Sequence, residues 1–263
     1  MRIFWASPFG SGWAIAEMLR AAGNKVVYFN PSGNKNGLGF LPEATLSNWR
    51  TYAKKADLIV VDDNFRSRAT RRSFAPSDFV QDFAALRAHG MAYFGPTPTS
   101  ELLEWDERYL RKTLDRSHIQ MGDHGRVDLG VRVTLSRDPD GGLWLLHRRD
   151  RSDLVLPLTP GDPLCQKLEP LYRFLDSIKC STYVNVDLEV GPNHADVRAV
   201  HCRFAYPAIF VQLGALLRRF GEQVPLTLQY GGAAFSIVQT DHEPPRSPED
   251  LAQLPGFFGF ELH

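Results

Sequence analysis

Four short polar loops carry the residues of this chain that are best suited to bind a small molecule. Glycine in such loops lets the backbone approach a ligand, and asparagine, threonine and aspartate side chains offer directional hydrogen bonds. Each loop follows or ends a short apolar stretch that is typical of a buried strand. The candidate ligand-binding residues in these loops are Gly10, Ser11, Gly12, Gly33, Asn34, Asp62, Asp63, Asn64, Pro96 and Thr97.

Two of these loops allow an alternative that involves no ligand. The first loop, residues 10–12, precedes a predicted helix, whose N-terminal amides favour an anion such as a phosphate. It lacks a complete G-x-G-x-x-G pattern and a P-loop lysine, so a tight strand–helix turn is the alternative. Asp62 and Asp63 are suited to bind a metal or hydroxyl groups, but aspartate is also a common turn and cap residue.

The elements that position these loops alternate between strand and helix. Apolar runs predict strands at residues 2–6, 26–29, 57–61 and 91–94. Apolar spacing and a Ser77 N-cap predict helices at residues 13–22, 45–56, 77–89 and 101–117. This alternation over residues 1–118 predicts a parallel, doubly wound sheet. Because the carboxyl ends of parallel strands lie at one edge, we expect the four loops to converge there.

The second half of the chain has a different pattern. Alternating apolar and polar residues predict one hairpin from residues 127–135 and 143–147, and another from 183–190 and 196–203. Helices are predicted at residues 163–178 and 209–220, and a further strand region at 226–239. The predicted fold class is therefore α/β in the first half, followed by an α+β part.

Composition narrows the class of protein. Of the 263 residues, 43% are apolar and 23% charged, and 30 basic residues balance 30 acidic ones. This balance indicates neither nucleic acid nor a membrane surface as a partner. Three cysteines without regular spacing argue against a disulfide framework or a structural zinc site. The first residues lack the pattern of a signal peptide, and no run has transmembrane length, so we expect a cytoplasmic protein.

A second group of candidates lies near residue 200. His194, His201 and Cys202 are close in sequence, but adjacent strand residues face opposite sides of a sheet. We therefore expect no metal site, and we expect no other cofactor. Cys202 would need a base and positive surroundings to act as a nucleophile, and a buried strand cysteine is the alternative.

Arginines supply two candidate contacts for an anion. Arg203 is suited to hold a phosphate or carboxylate through its planar fork, or to pair with Asp187 or Glu189 across the second hairpin. Four further arginines follow Asn64 between residues 66 and 72. They form either a solvated loop face or a funnel for anions at the mouth of the cleft.

The sequence FGPT at residues 94–97, followed by LE at 103–104 and a predicted helix, resembles a segment of the phosphoribosylamine–glycine ligase (glycinamide ribonucleotide synthetase) family of the ATP-grasp superfamily. Residues 10–12, 33–34 and 57–61 look like that family's first glycine loop, its PGN loop and its third strand. Residues 183–188, 197 and 203–207 look like the strand pair that ends in its NARFGDPE segment. Residues 233–238 resemble the opening of its C-terminal subdomain. The order of these motifs carries the resemblance, which covers most of the chain.

The resemblance implies a fold and a relationship to purine biosynthesis. A Rossmann-like (pre-ATP-grasp) domain with a parallel sheet would span residues 1–119. A reduced α+β ATP-grasp-like domain would span residues 120–225, and a remnant of the C-terminal subdomain with a tail would span 226–263. The small lobe of the ATP clamp has no counterpart in the sequence, so the resemblance implies a shortened member.

Several positions depart from the family's pattern. The lysine that contacts ATP is replaced by Glu107, and Asp106 adds a second negative charge near the triphosphate. The magnesium-binding Glu and Asn fall on Ala199 and His201, and the Asp of GDPE falls on Tyr206. Alanine supplies no oxygen ligand for Mg²⁺. Together with the missing lobe, these departures predict a degenerate member that has lost ATP-dependent ligation.

Three hypotheses follow from the sequence. In the first, the chain no longer hydrolyses ATP and binds a small polar or phosphorylated molecule, with Arg203 among the ligand contacts. In the second, it is an active enzyme with a rebuilt site, either an ATP-dependent carboxylate–amine ligase or a transferase that takes an activated substrate. In the third, it is a structural protein that binds a protein partner or a second copy of itself. The sequence assigns no catalytic residue.

Overall fold

The computed structural model describes residues 1–10, 12–21, 23–32, 39, 41–65, 68–69, 74–122, 131–137, 143–149, 152–159, 161–180, 182–190, 195–204 and 235–238. In chain order, the strands are β1 (Arg2–Ala6), β2 (Lys25–Phe29), β3 (Glu43–Ala44), β4 (Leu58–Val61), β5 (Arg68–Ala69), β6 (Phe74–Ala75), β7 (Tyr93–Phe94), β8 (Val131–Arg137), β9 (Leu143–Arg149), β10 (Ser152–Leu158), β11 (Val184–Val190), β12 (Ala195–His201) and β13 (Phe235–Val238). The helices are α1 (Trp13–Ala21), α2 (Trp49–Ala53), α3 (Asp78–Ala88), α4 (Pro98–Trp105), α5 (Glu107–Arg116) and α6 (Pro163–Ser177).

The first sheet has five strands in the order β3-β2-β1-β4-β7. Every neighbouring pair in it is parallel. The interior strand β4 has the sequence LIVV and is buried along its whole length, as expected for a parallel strand covered on both faces. The mixed α/β class with a parallel sheet, predicted from the alternation of strands and helices, is confirmed.

Helices cover both faces of the parallel sheet. On one face, Leu19 of α1 packs in the same core cluster as Trp5 of β1. On the other face, Phe4 of β1 lies in a cluster with Trp49 of α2 and Phe83 of α3. The ring centroids of Trp49 and Phe83 are 5.0 Å apart. Adjacent residues of β1 thus serve opposite cores, because side chains alternate along a strand.

The second sheet has six strands in the order β12-β11-β8-β9-β10-β13. Every neighbouring pair in it is antiparallel, so both predicted hairpins form. Val186 and Leu188 of β11 pack with Leu171 of α6 in one core cluster. Asn185 and Asp187 alternate with them and so belong to the opposite face of β11, which has one apolar and one polar side.

The helix predicted at residues 101–117 is in fact two helices. The first begins earlier, at Pro98, because Thr97 and Ser100 form a capping box at its N-terminus. Asp106 ends α4 and caps α5, where its Oδ1 accepts a hydrogen bond from the Tyr109 amide at 3.1 Å. Aspartate is a strong N-cap and a weak helix former, so a single Asp106 divides an otherwise continuous apolar pattern.

Other helices differ in length from their predictions. The one predicted at residues 45–56 is helical only over α2, since the Thr45 amide donates to the Asn48 side chain at 2.7 Å and holds a turn before it. The helix α6 matches its prediction closely, and residues 209–220 lie outside the described ranges. Within those ranges, no helix is both long and apolar enough to cross a membrane.

Four strands were not predicted: the two-residue strands β3, β5 and β6, and the longer β10. The strand β10 carries Pro157, which removes a ladder donor, and a charged stretch at residues 148–153 precedes and enters it. It nevertheless pairs with β9 along its whole length. Its other edge pairs with β13, so the structure places residues 235–238 in the second sheet. The three-part division of the chain at residues 119 and 225 stays a prediction.

Candidate functional site

The ends of three parallel strands meet at the carboxyl edge of the first sheet. After β1, the Ser7 amide donates to the Phe29 carbonyl at the end of β2, at 2.9 Å. After β4, the Asp62 amide donates to the Ala6 carbonyl at 3.2 Å. The segment that follows β12 reaches the same edge, because the Phe204 amide donates to the Asp62 carbonyl at 3.2 Å. The two sheets therefore meet at this edge.

The first glycine loop is packed against a buried carboxylate. A Cβ atom added to Gly12 would lie 1.7 Å from Asp62 Oδ2, so only glycine fits there. The Gly12 amide donates to Ser7 Oγ at 3.1 Å, and the Gly10 amide donates to the Ser7 carbonyl at 3.1 Å. These two amides serve the loop itself, which favours the strand–helix turn over an anion site. Ser11 lies outside the described residues.

Asp62 is enclosed beneath this loop and is only 4% exposed. Its Oδ2 accepts a hydrogen bond from Trp5 Nε1 at 2.9 Å, while its Oδ1 has no hydrogen-bond partner within the described part of the chain. Burial raises the pKa of the Asp62 carboxyl to about 7, and the hydrogen bond from Trp5 offsets only part of that effect. Asp62 is therefore a buried acid rather than a solvent-facing ligand.

The second and fourth loops contribute less to an open site. Gly33 and Asn34 lie outside the described residues; before them, the Ser32 amide donates to Asn30 Oδ1 at 3.1 Å in an Asx-type turn. The fourth loop is described in full, and its contacts are internal. Thr97 caps α4 and is 8% exposed, which is the turn-and-cap alternative for this residue.

Gly95 and Pro96 are held in the fourth loop by packing. A Cβ atom on Gly95 would lie 2.6 Å from the Tyr93 hydroxyl and 2.8 Å from Val61 Cβ. The same hydroxyl donates to the Pro96 carbonyl at 2.7 Å. The side chains of the neighbouring strands therefore leave room only for glycine at position 95.

A cluster of charged side chains occupies the edge instead, beginning at the end of β4. Glu104, on α4, accepts a hydrogen bond from the Asn64 side chain. Its Oε1 lies 3.0 Å from Nε of Arg203. Nη1 of Arg203 lies 3.4 Å from Oδ2 of Asp63. Arg203 therefore bridges a carboxylate of the parallel sheet and one of α4.

The cluster continues onto the polar face of β11 in the second sheet. His201 Nδ1 lies 3.0 Å from Oε1 of Glu104, and its Nε2 lies 3.3 Å from Oδ2 of Asp187. The other oxygen of Asp187 accepts a hydrogen bond from the Thr134 hydroxyl at 2.6 Å. Negative and positive groups thus alternate from one sheet to the other through Asp63, Arg203, Glu104, His201 and Asp187, which we call the charge ladder.

The charge ladder shifts the pKa values of its members in opposite directions. Burial acts to lower the pKa of His201, but hydrogen bonds to Asp187 and Glu104 outweigh it and raise that pKa to about 9. The same contacts hold the pKa of the Glu104 and Asp187 carboxyls below the ordinary value despite their burial. Burial raises the pKa of Asp63 to about 6, and the charge of Arg203 opposes this rise. At neutral pH, His201 is an imidazolium between two carboxylates.

Sequence reasoning found part of this cluster. Asp63, Asn64 and Arg203 were candidates, but the two carboxylates predicted to pair with Arg203 have other partners. Asp187 contacts His201, and Glu189 pairs with Arg198. Glu104 was missed as a site residue, since its contacts with residues 201 and 203 span nearly 100 positions and leave no local pattern. His194, Tyr206 and most of the arginines between 66 and 72 lie outside the described residues.

The cluster is not arranged as a metal site. Among the described residues, no group of three or more His, Cys, Asp or Glu side chains is placed to hold a metal ion. Cys202 is fully buried and its neighbour His201 faces the charge ladder, as the alternation of strand side chains predicts.

Comparison with solved structures identifies the fold. N5-carboxyaminoimidazole ribonucleotide synthetase from Thermus thermophilus matches with a TM-score of 0.61 at 11% identity, over 92% of this chain and 84% of that one. An ATP-grasp superfamily protein from Archaeoglobus fulgidus matches at 0.57 and 12% identity, over 94% and 95%. Glycinamide-RNase-transformylase T from Mycobacterium tuberculosis matches at 0.57 and 12% identity, over 84% and 78%.

These likenesses show that the chain has an ATP-grasp-like fold. They do not single out the phosphoribosylamine–glycine ligase family. No family model and no curated protein matches the sequence.

Proposed function

We propose that this chain is a degenerate glycine-ligase-like protein that no longer ligates with ATP and Mg²⁺ and instead binds a small anionic molecule beside Arg203. In this proposal, residues 1–119 are the Rossmann-like pre-ATP-grasp part and residues 120–225 a reduced ATP-grasp-like part without the small ATP-clamp lobe. The ATP-grasp-like fold supports the ancestry. The charge ladder supports the loss of metal-dependent chemistry.

The proposal rests on one observation: the carboxylates of the charge ladder are already paired with cationic side chains of the same chain. Mg²⁺ binds through carboxylate, phosphate and water oxygens, and it needs negative charge that is not already neutralised. Three carboxylates of the charge ladder contact two cationic side chains, His201 and Arg203. An imidazolium with a pKa of about 9 stays charged at neutral pH and repels a divalent cation.

Two further residues are unfavourable for ATP. Ala199 lies opposite Asp187 in the β11–β12 pair, and it supplies no ligand for a metal at that face. Glu107 opens α5 and pairs with Arg111 at the surface, so the position that the family gives to a lysine carries a negative charge. Each loss could be compensated alone, but together they remove both the metal contacts and the triphosphate contact.

Arg203 is the more exposed of the two cations in the charge ladder, so it is the cation that an anion from solvent would reach. Its side chain is 35% exposed, whereas the Glu104 and Asp63 side chains that hold it are 10% and 13% exposed. The two contacts use Nε and Nη1 and orient the guanidinium, and the fork has five N–H donors in total. A phosphate or carboxylate is the ligand class that matches a planar, oriented guanidinium.

The proposal predicts that phosphate binding depends on the Arg203 fork. With inorganic phosphate and ribose 5-phosphate as probes, calorimetry of Arg203→Gln should show affinity at least about tenfold below that of the native protein, since one charge-assisted contact contributes roughly 1.5–3 kcal/mol. Arg203→Lys should lie between them, because it keeps the charge and loses the fork.

The control for this experiment is Arg111→Gln, which removes an exposed arginine that also pairs with a carboxylate. It should bind both probes as the native protein does. All variants are compared at a temperature at which each is folded by circular dichroism. Equal affinity of Arg203→Gln and Arg111→Gln would contradict the assignment of the anion site.

The active-enzyme hypothesis has one observation in its favour. His201 lies between Asp187 and Glu104, and such an imidazolium could donate a proton to a leaving group. A transferase that takes an already activated substrate would need no metal at this position. Turnover that depends on His201 but not on ATP would separate this second candidate from the binding function.

A further inference from the structure

Two cysteine thiols meet behind the charge ladder. Cys202 follows β12 and is fully buried, whereas Cys180 lies after the turn that ends α6 and is half-buried. Cys180 packs against the core cluster that contains Cys202, and each thiol acts on the pKa of the other. No described residue forms a disulfide, and all three cysteines are free thiols in this structure.

The backbone around Cys180 presents it in positive surroundings. The Lys179 backbone has a φ of 54°, and the Cys180 amide donates to the Leu175 carbonyl at 3.0 Å, so the turn closes tightly onto α6. The Arg87 guanidinium of α3 donates to the Lys179 carbonyl and so lies beside Cys180. The Thr182 backbone amide also contacts the Cys180 sulfur.

The two thiols differ in exposure, because Cys202 is fully buried and Cys180 is half-buried. Cys202, Thr182, Ser100 and Arg87 act to lower the pKa of Cys180, against the effect of burial. The pKa of Cys202 is raised by Cys180 and by burial. Reactive cysteines are partly exposed and electropositive, whereas buried ones in apolar surroundings are inert.

We propose that Cys180 and Cys202 form a dithiol site for thiol–disulfide exchange with a small-molecule disulfide such as oxidised glutathione. The Cys180 thiolate attacks one sulfur of the disulfide, and one glutathione thiolate leaves and takes a proton. The Cys202 thiol then loses its proton and attacks Cys180 in the mixed disulfide, which releases the second glutathione. The protein is oxidised by two electrons to a Cys180–Cys202 disulfide, and one disulfide is reduced to two thiols.

The location gives this site a structural consequence. Cys202 lies between His201 and Arg203, the two cations of the charge ladder, and the new bond would tie that segment to the turn after α6. The chemistry of the thiols does not depend on which molecule binds beside Arg203, so this inference goes beyond the proposed function and can be tested without it.

The experiment treats the native protein with oxidised glutathione and locates the products by mass spectrometry of non-reduced peptides. We expect a linked 180–202 peptide pair in the native protein, and one glutathione retained on Cys180 in Cys202→Ser. Cys180→Ser should acquire no adduct on Cys202. Cys165, which is 3% exposed and whose pKa is raised by burial, is the internal control and should stay reduced.

Alkylation rates in the native protein provide a second test, which does not require the serine variants to fold. In the native protein, alkylation by iodoacetamide should modify Cys180 at least about tenfold faster than Cys165 or Cys202, since rate follows the thiolate fraction and access. Equal rates at the three cysteines, or a mixed disulfide on Cys180 that never resolves to the linked pair, would overturn the proposal.

Discussion

Asp62→Asn is expected to gain stability relative to the native protein as pH rises from 4 to 7, and to be the more stable of the two above pH 7. The folded-state pKa of Asp62 is about 7 and its ordinary value is 3.8. A carboxyl whose pKa is raised by folding stabilises the protein fully below the unfolded value, and that stability is lost as pH rises through the folded value. Three pKa units correspond to about 4 kcal/mol, as an order of magnitude.

The substitution is suited to the site because asparagine has nearly the same shape and keeps an oxygen for Trp5 Nε1. Urea unfolding at pH 4, 5.5, 7 and 8.5 measures the effect. The matched control is Asp57→Asn, since the pKa of the exposed Asp57 is lowered to about 2 by Arg2, so its titration lies below this range. A difference in stability between Asp62→Asn and the native protein that stays constant from pH 4 to 8.5 would show that folding does not raise the pKa of Asp62.

His201→Gln is expected to destabilise the protein at pH 6 and to lose that effect by about pH 10. Burial lowers the pKa of His201, but the contacts with Asp187 and Glu104 outweigh it and raise the pKa to about 9 from 6.5. A histidine with a raised pKa stabilises the folded state fully below 6.5 and ceases to do so as pH rises through 9. The rise in the pKa of His201 from 6.5 to about 9 corresponds to about 3 kcal/mol of stability. The variant also leaves two carboxylates without their cation.

Thermal and urea unfolding of native protein and variant between pH 5.5 and 10 measure this effect. His89→Gln is the matched control, because it removes an exposed histidine whose Nδ1 lies 2.7 Å from the Ala85 carbonyl rather than between carboxylates. Its unfolding curve should follow the native one across the range. If His201→Gln and His89→Gln changed stability equally, the charge ladder would contribute no more than a surface contact.

The parallel sheet could be predicted because the residues that specify each of its strands and helices are neighbours in the sequence. The strands β1, β2 and β4 are continuous apolar runs, each followed by small or polar residues, and helices with apolar faces separate them. The predicted bounds of helices and strands were wrong where the effect of one residue outweighed the apolar pattern around it. Asp106 divides a predicted helix in two. Pro157 argues against a strand in the sequence, although β10 pairs with β9 on one edge and with β13 on the other.

The candidate site was harder to predict because its contacts are long-range. Gly12 has the sequence features of an anion loop, but the atom that requires a glycine there belongs to Asp62, 50 positions away. Arg203 was recognised as a candidate, while Glu104 was not, because nothing near residue 104 indicates a contact with residue 203. Local pattern identified the loops at the sheet edge, and only the folded chain showed which side chains occupy it.

The most direct test of the central claim is a titration of the native protein with ATP and Mg²⁺, followed by an assay for ADP with glycine and a phosphorylated amine. We predict no binding heat, no rise in melting temperature and no ADP release above a control without protein, because the three carboxylates of the charge ladder are already paired with His201 and Arg203. ADP and phosphate release above that control, abolished by Arg203→Gln or Glu104→Gln, would contradict the account.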